Sequence, residues 1–249
     1  MLSDKDLERF SRQILLHDFD IAGQEKLLAA RVLVVGLGGL GAPAALYLAA
    51  AGVGHLALAD GDVVELANLQ RQISHGEADI NRNKAASTAD ALRAIRPEIS
   101  LTVLEAHLAG DALQQAVAEA DVVVDATDNY PARFALNRAC LATQVPLVSG
   151  AAVRGEGQLA VFHARRGGPC YRCLYPKEGE ATALSCSESG VIAPLVGVVG
   201  SMQALEVIKL ITGYGESLQG QLLVLDLARM DIRRLSLKRR EDCPDCGDH

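Results

Sequence analysis

Apolar and polar positions alternate in blocks that predict strands and helices following one another along the chain. Short β-branched apolar runs bounded by glycine or polar residues are typical of buried strands, and apolar residues recurring every three or four positions are typical of helices. The predicted strands cover residues 32–35, 55–59, 100–105, 121–125, 147–153, 158–162, 221–226 and 232–237. The predicted helices cover residues 3–16, 24–30, 84–95, 111–118, 130–142 and 192–212. This order predicts an α/β fold with a Rossmann-like, mostly parallel sheet, helices on both faces, and added antiparallel strands.

The turn after the first predicted strand carries the G-x-G-x-x-G pattern of a nucleotide-binding βαβ unit. Such glycines permit a tight turn and a close backbone approach to phosphate at the start of a helix. They are Gly36, Gly38, Gly39 and Gly41. The second strand ends on Asp60, whose carboxylate can accept hydrogen bonds from ribose hydroxyls. A ligand-free turn is the alternative, but the strand, helix, second strand and terminal acid all match the fingerprint, so we predict a nucleotide site.

The loop after Asp60 concentrates side chains that suit a triphosphate. Arg71 can grip phosphate oxygens in bidentate fashion, Asn68 can donate to them, and Gln72 lies next to Arg71. Lys84 follows at the start of a predicted helix and offers a compact countercharge. Each of these cations alone is typical of a solvated surface, but their position beside the glycine turn favours a role in binding.

Asp128 and Asn129 follow the fourth predicted strand. Because ligands of open α/β sheets lie beyond the carboxyl ends of the strands, Asp128 should face the same crevice as Gly38 and Asp60. A carboxylate there suits Mg²⁺, which combines one or two carboxylates with substrate phosphates and water. Asp128 can instead cap the helix that starts at Tyr130, and the two roles are compatible.

Two C-x-x-C pairs lie about seventy residues apart, one near the middle of the C-terminal half and one in the tail. They are Cys170 with Cys173, and Cys243 with Cys246. Paired knuckles in loops near glycine are typical of a tetrahedral Cys₄ zinc site, here clamping the tail onto the body. A redox role would need such a pair at the start of a helix after a strand, and neither pair is predicted there. Cys140 is expected in the core.

Composition and charge exclude several classes of protein. The formal charge of −7 argues against a nucleic-acid surface, which needs a clustered basic face. The N-terminal residues are polar, unlike a signal peptide, and the longest apolar run, residues 191–200, is too short to cross a membrane. We expect one cytoplasmic domain over residues 1–249, without a membrane or nucleic-acid partner.

Taken together, these motifs resemble those of the ubiquitin-activating superfamily. The glycine turn is followed by Asp60-x-Asp62, the run from Asn68 to Gln72, Lys84, Asp128-Asn129 and the two cysteine knuckles. Within that superfamily the chain is similar to the short prokaryotic MoeB/ThiF/HesA branch. Residues 148–152 and 170–174 look most like the MoeB type.

The resemblance implies a homodimeric ATP- and Mg²⁺-dependent adenylyltransferase. Its substrate would be a ubiquitin-like sulfur carrier ending in Gly-Gly, and the small subunit of molybdopterin synthase is the first candidate. The carrier's terminal carboxylate would attack the α-phosphate of ATP, and a sulfur donor protein would then form the thiocarboxylate. The same chemistry on a thiamine-pathway carrier is the alternative. From other classes we retain an NAD-dependent oxidoreductase and a non-catalytic carrier-binding scaffold.

The resemblance also implies roles for individual residues. Residues 1–30 would form N-terminal helices, 31–153 the nucleotide-binding core, and 154–249 the carrier-binding, zinc-containing part. From its position in the predicted N-terminal helix, Arg12 is expected to be a surface charge. The resemblance implies instead that Arg12 would reach the partner subunit's ATP. Cys186 matches a loop cysteine that ThiF-type enzymes use in sulfur transfer, but an idle exposed thiol fits it as well. The residues expected to contact nucleotide or magnesium are Gly36, Gly38, Gly39, Gly41, Asp60, Asp62, Asn68, Arg71, Gln72, Lys84, Asp128 and Asn129.

Overall fold

The computed structural model describes residues 2–163, 167–176 and 190–247. The strands in these ranges are β1 (Arg31–Val35), β2 (His55–Ala59), β3 (Ser100–Leu104), β4 (Val122–Asp125), β5 (Leu147–Val153), β6 (Glu156–Phe162), β7 (Gln221–Asp226) and β8 (Asp231–Ser236). The helices are α1 (Asp4–Arg9), α2 (Ser11–Ile14), α3 (Asp20–Ala29), α4 (Gly41–Ala51), α5 (Lys84–Ile95), α6 (Gly110–Ala118), α7 (Tyr130–Thr143), α8 (Tyr171–Leu174) and α9 (Ala193–Thr212).

All eight strands belong to one sheet, in the order β3-β2-β1-β4-β5-β6-β7-β8. The first five are parallel, with Val35 of β1 in register with Ala59 of β2 and Asp125 of β4. The last three are added antiparallel. The predicted fold class is therefore confirmed. This register brings the carboxyl ends of β1, β2 and β4 together at one edge of the sheet.

Helices cover both faces of the sheet, and each face has its own core. On one face α4, α5 and α9 pack over β1 through residues such as Val34, Leu48 and Leu195. On the other face α6, α7 and α8 pack through residues such as Leu113 and Phe134. Alternate residues of a strand serve opposite faces, which is why the neighbouring apolar residues of β1 are divided between the two cores.

Helix α9 is long and apolar enough to cross a membrane, but half of it is buried inside the protein. It packs against α4 and the sheet, and its side chains Leu195, Val199 and Val207 are fully buried. It begins with a proline in its first turn and ends at Gly213 in the left-handed conformation, as its sequence predicts. Helix α9 is a core helix.

Three predicted boundaries were wrong. The helix expected over residues 3–16 has the predicted Ser3–Asp6 capping box but is interrupted at Phe10, whose buried ring packs against Gly52 at the end of α4. The next helix begins at Asp20 rather than residue 24. The first cysteine pair, expected in a loop, starts the four-residue helix α8, because Cys170 is its N-cap.

Candidate functional site

The turn between β1 and α4 can be built only with glycine at two positions. Gly36 has φ +86°, and a Cβ there would lie 2.7 Å from the carbonyl oxygen of Ala126 after β4. A Cβ at Gly41 would lie 1.8 Å from the carbonyl oxygen of Gly36. Any side chain would therefore force β1, α4 and the loop after β4 apart. The turn is packed directly against the neighbouring strand end.

The same turn offers main-chain donors to an anion. In the described part of the chain, the N–H groups of Gly38 and Gly39 donate to no protein acceptor. They precede the first turn of α4, where the helix dipole favours negative charge. This arrangement suits a phosphate group.

Asp60 is buried at the end of β2, beside the turn. Its Oδ2 accepts from the Leu37 N–H at 2.7 Å and its Oδ1 accepts from the Asp62 N–H at 2.9 Å. Each carboxylate oxygen can accept a further bond, so ribose hydroxyls remain possible donors. These two backbone N–H groups hold the Asp60 carboxylate in one orientation.

Lys84, the predicted phosphate cation, is almost fully buried and is paired with an acid. Its Nζ lies 2.9 Å from Oδ2 of Asp62, and the second Asp62 oxygen lies 3.3 Å from Nε2 of His107. Asp62 was predicted to contact the nucleotide, whereas here it holds Lys84. A carboxylate repels phosphate oxygens, so fixing the cation is the role that suits it better.

The three polar residues of the loop after β2 lie in different surroundings. Asn68 is buried, and its Nδ2 lies 3.4 Å from Oε2 of Glu65. Arg71 donates from Nη1 to the Ala67 carbonyl at 3.1 Å, which leaves its other donors for a ligand. Gln72 is 3% exposed, lies against Gly38, and has an Oε1 without a partner among the described residues. A buried amide without a partner beside the turn is a candidate contact for a bound group.

Asp128 is exposed, three residues after the end of β4. The alternative that it caps the following helix is wrong, because Asn129 is the N-cap of α7 and accepts from the Ala132 N–H at 3.0 Å. Asn129, predicted as a nucleotide contact, therefore has its side-chain oxygen engaged in the cap. Among the described residues, the one hydrogen-bonding contact of the Asp128 carboxylate is with Nδ2 of Asn129 at 3.5 Å, which leaves the carboxylate able to bind a cation.

A buried network that the sequence analysis missed supports the loop before Asp128. Asp125, fully buried, accepts from the Thr127 N–H at 3.1 Å, the Thr127 hydroxyl at 2.6 Å and the Ser149 hydroxyl at 2.8 Å. The guanidinium of Arg133 donates to the Thr127 carbonyl and, at 2.9 Å, to the Gly150 carbonyl. All polar groups of Thr127 are thus held. An arginine in an ordinary helical pattern carries no signal of this burial.

The structure brings the glycine turn, Asp60, Lys84 and the Asp128 loop to one edge of the sheet but leaves Arg12 elsewhere. Gln13, next to Arg12, donates to the Ala51 carbonyl at 2.6 Å, at the end of α4 opposite the glycine turn. The eleven residues of α4 separate these ends by about 16 Å. Arg12 is exposed and forms no hydrogen bond or ion pair within the described ranges.

The four predicted zinc ligands converge on one point. Their sulfur atoms all lie within 4.8 Å of one another, and three of the separations are 3.5, 3.6 and 3.9 Å. Tetrahedral Zn²⁺ with Zn–S bonds of 2.3 Å needs separations of about 3.8 Å, so the cluster fits a metal ion. Asn137 of α7 joins both knuckles: it accepts from the Tyr171 N–H at 2.9 Å and donates to Asp245 at 2.8 Å. The cluster is Cys170, Cys173, Cys243 and Cys246.

The two remaining cysteines differ. Cys140 is 4% exposed in the core formed by α6 and α7, as predicted, and burial raises the pKa of its thiol. Cys186 lies outside the described residues.

Comparison with known proteins identifies relatives over the whole length of the chain. The chain is 50% identical over 246 residues to molybdopterin-synthase adenylyltransferase of Escherichia coli, covering 99% of this chain and 98% of that protein. It is 49% identical over 246 residues to the sulfur carrier protein ThiS adenylyltransferase of the same organism, covering 99% and 97%. The Salmonella typhimurium molybdopterin-synthase adenylyltransferase is 49% identical, with coverage of 99% and 98%.

Solved structures share the fold. A crystal structure of E. coli MccB with MccA-N7isoAsn has a TM-score of 0.85 and 25% identity, covering 96% of this chain and 75% of that one. MccB with AMPCPP and MccA has a TM-score of 0.83 and 27% identity, with coverage of 96% and 74%. The model of the ThiF family matches residues 10–245. The expected resemblance is confirmed, and the chain belongs to the ThiF family.

Proposed function

We propose that this protein adenylates the C-terminal glycine carboxylate of a ubiquitin-like sulfur carrier, using ATP and releasing pyrophosphate. The observation that carries the proposal is the meeting of three elements at the carboxyl ends of the strands. They are a turn whose N–H groups donate to none of the described residues, the buried cation Lys84, and the exposed carboxylate Asp128. The adenylyltransferases that are about half identical to the chain support it. So does the related MccB, whose structure contains AMPCPP, an ATP analogue.

ATP would lie across the carboxyl ends of β1, β2 and β4. Asp60 would accept from the ribose, and the N–H groups after Gly36 would meet the phosphates. Lys84 and Arg71 would offset the triphosphate charge, with Asn68 and Gln72 beside it. Gly36, Gly38, Gly39 and Gly41 shape the turn. A bound Mg²⁺ would supply further charge neutralisation, and Asp128 would hold it.

The reaction needs alignment and charge neutralisation more than proton transfer. A carboxylate oxygen of the carrier forms a bond to the α-phosphorus while the bond from that phosphorus to the bridging oxygen breaks, and pyrophosphate leaves. The nucleophile is already ionised at neutral pH, so a general base is not required. Two anions must approach each other, and Lys84, Arg71 and Arg12 would lower that repulsion.

The carrier would dock on the part of the protein formed by residues 154–249. Strand β8 is one of the two outermost strands of the sheet, and every one of its residues is exposed. Exposed Met230, Ile232 and Leu235 add apolar side chains at this outermost strand, with Ile232 and Leu235 on opposite faces of the sheet, and another protein could contact either face. We place the small subunit of molybdopterin synthase first among carriers. The thiamine-pathway carrier stays a second candidate, because the ThiS adenylyltransferase is 49% identical to the chain.

We further propose a homodimer in which Arg12 completes the partner subunit's site, because in its own subunit it lies at the far end of α4. Exposed Tyr47, Val198 and Leu205 on α4 and α9 offer an apolar face for it. Arg12→Ala and Lys84→Ala should each abolish activity as homodimers. Random mixing of the two variants should restore about a quarter of wild-type activity, since half the dimers would contain one intact site. No recovery in the mixture would mean that Arg12 does not act across the dimer.

The four-cysteine cluster would hold Zn²⁺ as a structural ion, which fixes the tail to the body of the protein. We place the protein in the cytoplasm, where its cysteines stay reduced. A sulfur donor protein would act after adenylation. The whole chain, residues 1–249, would then work as one adenylating domain. The relatives' names lend no support to an NAD-dependent oxidoreductase or an inactive scaffold.

The deciding experiment is ATP–pyrophosphate exchange with Mg²⁺ and each candidate Gly-Gly carrier in turn. Exchange with one carrier alone would establish adenylyl transfer and identify the substrate. A carrier lacking its last two glycines is the matched control and should give none. No exchange with any carrier, from dimeric protein with its metal bound, would refute the proposed function.

A further inference from the structure

A polar cluster connects the glycine turn to α5, the helix that carries Lys84. His75 lies at its centre, half-buried, with Nδ1 2.8 Å from the Ser87 hydroxyl and Nε2 3.3 Å from the Leu37 carbonyl oxygen. Beside it, the hydroxyls of Ser74 and Thr88 are 3.1 Å apart. Ser87 and Thr88 belong to α5, one turn after Lys84.

The partners of His75 determine which nitrogen carries the proton. Nε2 faces two groups, the Leu37 carbonyl at 3.3 Å and the Ser74 hydroxyl at 3.5 Å. The carbonyl is the nearer of the two and can only accept, so we assign the proton to Nε2. In the neutral ring Nδ1 then accepts from the Ser87 hydroxyl. Burial, the largest influence, lowers the pKa of His75, which agrees with a neutral ring.

Leu37 is held at every group. Its side chain is fully buried in the core, its N–H donates to Asp60, and its carbonyl accepts from His75. The following peptide bond is trans, since the described chain has no cis peptide. In a trans peptide the carbonyl and the next N–H point in opposite directions. The bond from His75 to Leu37 therefore sets the direction in which the Gly38 N–H points.

We infer that His75 is a positioning residue for the glycine turn. It orients the Gly38 N–H toward the bound phosphate and links the turn to α5, the helix that carries Lys84. The inference rests on the proposed function, since it concerns how ATP is held. His75 would touch no substrate atom. It acts through the Leu37–Gly38 peptide on one side and through Ser87 on the other.

The test compares the affinities of ATP and adenosine by equilibrium dialysis. His75→Ala should lose about tenfold in ATP affinity, the effect of one lost buried hydrogen bond, while adenosine binding changes less than about twofold. His75→Gln places an amide N–H near the position of Nε2 and should stay within about threefold of wild type. Ser87→Ala should lower the affinity for ATP by about threefold and leave the affinity for adenosine unchanged. His17→Ala is the control, because the His17 side chain is fully exposed.

An equal loss for ATP and adenosine in His75→Ala, without recovery in His75→Gln, would overturn the inference and mean that the residue serves stability only. Unchanged ATP affinity would overturn it too. If His75→Ala does not fold, Ser87→Ala and His75→Gln carry the same comparison. Wild-type protein that binds no ATP would refute the proposed function and this inference together. If the wild-type protein catalyses ATP–pyrophosphate exchange but His75→Ala loses affinity for ATP and adenosine equally, the inference alone would be refuted.

Discussion

Replacing Arg133 by methionine should destabilise the protein strongly. The change removes the buried guanidinium whose Nη1 lies 3.9 Å from the fully buried Asp125 carboxylate. It also leaves the carbonyls of Thr127 and Gly150 without their donor. Methionine roughly conserves the apolar length of the side chain, so the change isolates the loss of charge and hydrogen bonding.

The size of the stability loss depends on the Asp125 charge that remains buried after Arg133 is removed. Removing one partner of a buried ion pair costs about 3–5 kcal/mol, because the other charge is left uncompensated. Asp125 keeps its hydrogen bonds from Thr127 and Ser149, so we expect the lower end of that range, about 3 kcal/mol. In a chain of this size each kcal/mol lowers Tm by about 2–4 °C, which gives a decrease of about 6–12 °C.

Urea unfolding and thermal melting of Arg133→Met measure this directly. Arg93→Met is the matched control: Arg93 also lies on a helix and pairs with an acid, Asp90, but both side chains are half exposed, so its loss should stay below about 1 kcal/mol. Adding Asp125→Asn to the first variant removes the stranded charge and should recover part of the loss. A loss below about 1 kcal/mol for Arg133→Met alone would refute the reasoning that the Asp125 charge depends on it.

Three further changes test other parts of the site. Asp128→Ala should lower the exchange rate by about 100-fold or more with little change in Tm, since the residue is exposed; wild-type activity would refute magnesium binding there. Lys84→Met, which should abolish turnover as Lys84→Ala does, should also weaken ATP binding in equilibrium dialysis by at least about tenfold; an unchanged affinity would exclude phosphate contact. Cys243→Ser should lose the bound metal and lower Tm, and an unchanged metal content by mass spectrometry would contradict a Cys₄ site.

Features that depend on local order were predictable from the sequence. The βαβ unit around Gly36 and the ends of β1, β2 and β4 follow from a short-range alternation of apolar runs, turns and acids. The four-cysteine cluster was predictable because each C-x-x-C pair presents two sulfurs from one short segment. The end of α9 follows from Gly213, whose left-handed conformation closes the helix.

Features that depend on pairs far apart in the chain were not predictable. The partner of Lys84 is 22 residues away, and the two carbonyls bound by Arg133 lie in the loop after β4 and in the middle of β5. Nothing in the spacing of Arg133 along α7 distinguishes a buried arginine from a solvated one, because burial is decided by what packs on the helix. The interruption at Phe10 has the same cause, since its ring is drawn into a contact with Gly52.

In the proposed ATP complex, the pairing of Lys84 with Asp62 would let an acid assist the binding of the triphosphate. An ammonium group has three donors, and Asp62 occupies one of them at 2.9 Å. Two donors remain for phosphate oxygens, so ATP need not displace Asp62 to reach the cation. The long flexible side chain of Lys84 is fixed before the nucleotide arrives, which lowers the entropy lost on binding. The cation and the turn are positioned in the same way: Asp62 holds Lys84, and Asp60 holds the Leu37 N–H. Two acids on one short segment thus orient the positive groups that would meet the phosphates in the proposed complex.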